Sequence, residues 1–165
     1  MPAPAEDRRY ATLVAAFSAM GYGALLVAAF GILSLLTDRD VIDDPDAGPL
    51  VGPVMTVAAI LFVLLVLVRV GRATPLARQR PRLWLSLGVG LGAYLVFALV
   101  GALAFSIGTG AVLGFLGFAF SQLISPFAVA AGVAAIVVTL LFSLILASRG
   151  GGSERPEWPW EHNEQ

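Results

Sequence analysis

Few side chains of this protein are equipped for chemistry, and the charged ones are confined to short polar segments. Five aspartates, Asp38, Asp40, Asp43, Asp44 and Asp46, fall in one of these, TDRDVIDDPDAGP. Carboxylate oxygens suit hard cations such as Ca²⁺ and Mg²⁺. The spacing follows no calcium-loop pattern, because no glycine is followed by a distal bidentate glutamate. An acidic, solvated turn is the simpler reading, punctuated by Pro45, Gly48 and Pro49. The only histidine, His162, lies in the charged tail outside every apolar run, which excludes a membrane-embedded Ser-His dyad and a His-rich metal site. There is no cysteine, which excludes thiolate catalysis and Cys-based metal binding. No catalytic residue, metal or cofactor is expected.

The most distinctive polar feature is the tail. Gly150-Gly151-Gly152-Ser153 is a flexible linker, and ERPEWPWEHNEQ follows it. Prolines favour extended backbone, so Pro156 and Pro159 would present Trp158 and Trp160 outward beside Arg155. Tryptophan is a favoured anchor of protein interfaces, and these five residues are candidates for docking a cytoplasmic partner. Anchoring in the headgroup layer, or a tail without structure, is the alternative.

The elements that must carry these segments are apolar. Of the 165 residues 58% are hydrophobic and 13% are charged, against about 25% charged in a soluble domain. Mean hydropathy is +0.88. The charges form four clusters with uncharged runs between them, and such runs read as membrane helices. The expected fold is an all-α membrane protein with four transmembrane helices and one additional short interfacial or re-entrant helix. A polar head (1–9) precedes spans at 10–36, 50–68, 83–107 and 127–147. An acidic loop (37–49), an arginine-rich loop (69–82), a short helix (108–125) and a tail (148–165) connect and follow them. The first apolar run is longer than the roughly 7–15 residues of a signal peptide, so it reads as a retained span.

Arginine placement sets the orientation. Arg8, Arg9, Arg69, Arg72, Arg78, Arg80, Arg82, Arg149 and Arg155 fall on one side, and Arg39 alone on the other. Basic residues are retained on the cytoplasmic side, so both termini are expected there. Lysine is absent, a codon-usage signature of a GC-rich bacterial genome, and the expected location is a bacterial plasma membrane.

The segment 108–125 is ambiguous. Its apolar part, 111–124, would reach only about 21 Å as a helix. It reads as an interfacial or re-entrant helix, as an extension of the last helix kinked at Pro126, or as a fifth span. Pro126 suits a helical first turn with Ser125 as the cap. Gly110, Gly114, Gly117, Ser121 and Ser125 share a face expected to pack on a neighbouring helix. In a permease that face would line a small-molecule path, with Ser121 and Gln122 to orient a polar ligand.

Small residues let membrane helices approach closely. On that basis Ala15, Ala19 and Gly23 of the first span, Gly88 and Gly92 of the third, Gly114 and Gly117 of the short helix, and Ala131 and Ala135 of the last are expected at helix contacts. A second row on the third span holds Gly90, Ala98, Ala102 and Ser106. The second span has no comparable stripe, so it is expected to face lipid or another subunit.

The DVIDDPDAGPLVGPVM stretch and the terminal RPEWPWE resemble segments of small four-helix integral membrane proteins of actinobacteria, a family of unknown function. The resemblance implies location and topology and transfers no activity. Proton- and ion-coupled transporters mark their pathways with ionisable residues inside the membrane, and none lies in these spans. Compact four-helix multidrug exporters are similar in size but depend on a first-helix glutamate, which 10–36 lacks. The expectation is a non-enzymatic accessory or scaffold subunit of a membrane complex. Its partners would be the lipid bilayer and a membrane or cytoplasmic protein or a second copy, with no nucleic acid. The alternative is a small permease or channel using the Gly/Ser face of 110–125.

Overall fold

A computed structural model describes residues 5–42, 47–73, 83–110 and 114–150. These form five helices: α1 (Ala5–Thr37), α2 (Val51–Ala73), α3 (Leu83–Thr109), α4 (Gly114–Ile124) and α5 (Pro126–Gly150). Among the described residues there is no strand. Four helices, α1, α2, α3 and α5, are long and apolar enough to cross a bilayer. At 23 to 33 residues they exceed the roughly 20 needed for a hydrocarbon core of about 30 Å, so their ends project into the headgroup layers. Arg69 and Arg72, expected in a loop, belong to the last turns of α2.

The helix ends follow local chemistry. Thr37 closes α1, and Asp38 adopts a left-handed backbone with φ 51°. Gly110 does the same after α3 at φ 68°, where lack of a Cβ makes that conformation easy. At the start of α2, the Val51 amide donates to the Gly48 carbonyl at 3.1 Å. Pro53 follows within the first turn, where a missing N–H costs nothing.

Around the bundle the order is α1, α2, α3, α5, with each helix packed on the next and α5 closing against α1. Helix α4 lies mainly along α3. The second span does expose Val57, Leu61 and Leu65, but it also packs on α1 and α3 as the other spans pack on their neighbours. Its residues Val51, Met55, Ala59, Val63, Leu67 and Gly71 form an unbroken buried row against α1 and α3. The row was invisible as a packing stripe because it mixes large and small side chains. What decides burial is complementarity with the facing helix, not smallness alone.

The interior is filled by Tyr22, Leu26, Met55, Leu67, Phe97, Phe127, Phe142 and Leu146, all but inaccessible. Phe30 packs on Phe97 and edge-on against Phe127, with centroids 5.5 and 5.6 Å apart, tying α1, α3 and α5 together. The exterior is the reverse of a soluble protein, with Phe17, Met20, Val27, Leu35, Leu65 and Leu91 exposed. Such an apolar surface suits lipid. Trp84 is 86% exposed at the start of α3, where an indole marks headgroup level. Tyr10 lies at the same end, beneath the Arg149 guanidinium at 3.9 Å.

Candidate functional site

The least regular part of the bundle is the junction of α4 and α5. Helix α4 runs back along α3: Phe118 stacks on Phe105 at 4.6 Å, and five residues later the Leu123 carbonyl meets Tyr94. Tyr94 lies near the middle of α3. So α4 re-enters the bundle beside α3, reaches mid-height, and continues through Ser125 into α5.

Proline dictates the break. In an unbroken helix the Gln122 carbonyl would accept from residue 126, but Pro126 has no N–H. The Ser125 amide takes its place at 3.1 Å. The Leu123 carbonyl would accept from Phe127, but that amide donates to the Ser125 hydroxyl at 3.3 Å, the expected N-cap bond. Tyr94 supplies the substitute, donating its hydroxyl to the Leu123 oxygen at 2.6 Å. Broken backbone at membrane depth is tolerated where such partners exist, and the Gln122 and Leu123 carbonyls both have them.

Side chains are less completely satisfied. Gln122 is 5% exposed, and its Oε1 has no partner, as is also true of the Ser86, Ser106 and Thr139 hydroxyl oxygens. Other hydroxyls bond their own helix: Thr56 to the Gly52 carbonyl at 2.9 Å and Ser143 to the Thr139 carbonyl at 2.8 Å. Tyr22 crosses the bundle to donate to the Ala131 carbonyl at 3.1 Å. An orphaned polar atom in hydrocarbon is costly. Gln122 therefore stands out, since it faces inward at the break.

The expected packing residues divide. Ala15, Ala19, Ala131 and Ala135 are buried. A Cβ on Gly23 would lie 3.2 Å from Ile60, and one on Gly92 would lie 2.5 Å from Phe62. Gly88 and Gly117 have nothing within 4 Å of a Cβ, so neither makes a helix contact. Gly114 is half-buried. The packed side of α4 is Phe118, Ala119 and Gln122. The Gly/Ser side turns outward: Ser121 is exposed, with its hydroxyl bonded to the Phe118 carbonyl. Sequence reasoning passed over Gly132. A Cβ there would come within 3.1 Å of both the Gly90 carbonyl oxygen and Tyr94 Cβ.

At the α1–α2 turn, a recess of about 490 Å³ is lined by Phe30, Asp40, Ile42, Pro49, Gly52 and Thr56 among others. Among the described residues no group of three or more acidic, histidine or cysteine side chains is arranged to hold a metal. Asp43, Asp44 and Asp46 lie outside the described residues, as do Arg78, Arg80 and Arg82. So do the docking candidates Arg155, Pro156, Trp158, Pro159 and Trp160.

A family model described as a family of unknown function, DUF6121, matches residues 4–165. The chain belongs to the DUF6121 family. The DUF6121 match takes in all five helices, the polar loops and the Trp-Pro tail. None of the curated proteins or solved structures compared with the chain matches it.

Proposed function

We propose that this protein is a non-enzymatic component of a bacterial plasma membrane, an accessory or scaffold subunit whose tail docks a partner. The observation that supports this reading is the filled interior. Between the four long helices lie apolar side chains, and among the described residues the buried polar ones are Ser86, Gln122, Thr139 and Ser143, together with the Tyr22 hydroxyl bonded to the Ala131 carbonyl. No charged group is buried there to do acid–base work or carry an ion. Arginine asymmetry favours cytoplasmic termini, which would lie within reach of a soluble partner. The test is co-purification from native membranes, comparing the full chain with one ending at Ser153. A protein recovered with the full chain and lost on truncation is the expected result; equal recovery overturns the docking role. For orientation, single cysteines at Ala47, Ala77 and Ser153 can be probed with an impermeant thiol reagent. Labelling of Ala77→Cys in intact cells would reverse the topology.

A small permease is the second reading, favoured by one observation: the unpartnered Gln122 Oε1 beside a helix broken near mid-height. Discontinuous helices near the bilayer midplane form substrate sites in transporters. The ligand-facing residue would be Gln122, since the Gly/Ser side of α4 faces outward. In a flux screen, Gln122→Ala would then abolish transport that removal of the tail leaves intact.

A further inference from the structure

The end of the bundle that carries Arg8, Arg9, Arg69, Arg72 and Arg149 has a cleft of about 450 Å³ between the first turns of α1 and the last turn of α2. Its lining is Ala5, Arg8, Arg9, Thr12, Leu13 and Arg72. Three arginines thus line one recess, and neither Glu6 nor Asp7 does. A close helix approach builds the recess. A Cβ on Gly71 would stand 2.9 Å from the Ala11 Cβ, so only glycine lets α2 end this near α1. That proximity brings Arg72 to Thr12, and its Nε donates to the threonine hydroxyl oxygen at 3.1 Å. The same hydroxyl donates to the Arg8 carbonyl at 2.7 Å. Thr12 therefore holds Arg72 by one nitrogen, and among the described residues nothing bonds its two terminal nitrogens.

We propose that this cleft binds the phosphate of an anionic membrane phospholipid. Guanidinium forks match phosphate oxygens in a geometry that a lysine cannot reproduce. The depth of the cleft favours a lipid over a soluble anion, because Tyr10 and Trp84 mark headgroup level at this end. Leu13, 52% exposed, gives the recess an apolar edge along which acyl chains can run. Basic pockets between membrane helices are a known way of holding such headgroups.

The test uses the full-length protein in detergent, titrated with phosphatidylglycerol or phosphatidylcholine, with bound lipid counted by native mass spectrometry. Phosphatidylglycerol should be retained in clear preference. Replacing Arg8, Arg9 and Arg72 together by glutamine should weaken it about a hundredfold, at about fivefold for each charge near a lipid surface. Thr12→Val separates a built site from diffuse attraction, because it keeps every charge and removes only the hydroxyl that holds Arg72. The site predicts about a threefold loss, the size of one ordinary hydrogen bond and less than the roughly fivefold of removing the Arg72 charge itself. Arg69→Gln, outside the cleft, should cost clearly less than Arg72→Gln, about twofold against about fivefold. Unchanged binding by Thr12→Val, or equal losses from Arg69→Gln and Arg72→Gln, would overturn the proposal. Displacement of the lipid by millimolar inorganic phosphate would do the same, by showing the ligand to be the free anion.

Discussion

Glycine does two different jobs in this bundle. Where α3 crosses α5, glycine faces glycine. A Cβ on Gly90 would collide with Ile136 and come within 2.9 Å of the Gly132 carbonyl oxygen, and one on Gly132 would meet the Gly90 carbonyl oxygen at 3.1 Å. There the two backbones themselves are in contact. Where α2 packs on α1 and α3, glycine is instead a socket for a large side chain: Ile60 sits on Gly23, Phe62 on Gly92 and Met55 on Gly101. The first arrangement fixes the separation of two helices, and although Ile136 can shift, the facing backbone oxygens cannot. The second has a rotatable side chain on one side and can adjust. Because lipid competes with protein for apolar contact, close fit is what holds membrane helices together, and the rigid contact should matter more.

Substitutions can break or sharpen that contrast. The largest effect is expected for Gly90→Ala, about 3 kcal/mol of destabilisation, the upper range for overpacking a rigid contact, read as a shift in unfolding midpoint in detergent. Adding Ile136→Val should recover only part of it, since the Gly132 carbonyl oxygen remains in the way. Gly92→Ala should cost about 1 kcal/mol, and Phe62→Leu should rescue most of that. Full rescue at Gly90 together with none at Gly92 would invert the comparison. Gly23→Ala should cost less again, about 0.5 kcal/mol, because only the tip of Ile60 must move. Gly88→Ala and Gly117→Ala meet open space and should be neutral or stabilising by up to about 0.5 kcal/mol, the helix preference of alanine over glycine. Destabilisation at either would point to a contact outside the single chain.

These positions also show what the sequence made legible. The four long spans were readable because length and apolarity are properties of a run of residues taken alone. Helix phase was readable on α1 and α5, where the expected alanines Ala15, Ala19, Ala131 and Ala135 are buried, but not along the glycines of α3. Gly88, Gly90 and Gly92 lie together in LGVGLG, yet they meet open space, Ile136 with Gly132, and Phe62 respectively. In water, a polar face would have told them apart. In a membrane helix both faces are apolar, so only the partner distinguishes them. The buried row of α2 was hidden for the same reason. The Ser125–Pro126 break was readable because proline removes a donor wherever it stands. The inward course of α4 was one of the readings left open, and only Tyr94, 29 residues before Leu123, decides for it. The cleft at the arginine end escaped notice because Thr12 and Arg72, 60 residues apart, signal nothing until the helices meet.

The Tyr94–Leu123 bond carries a consequence for biogenesis. Eleven residues of α4 reach only about 16 Å, too short to be retained by a bilayer as a separate crossing. With just Ser125 between α4 and α5, the two must leave the insertion machinery as one hydrophobic unit. The phenol that completes their junction belongs to a helix synthesised earlier, so α3 is already in place as a template when the broken segment emerges. The order of synthesis thus matches the order in which the hydrogen bonds can be satisfied.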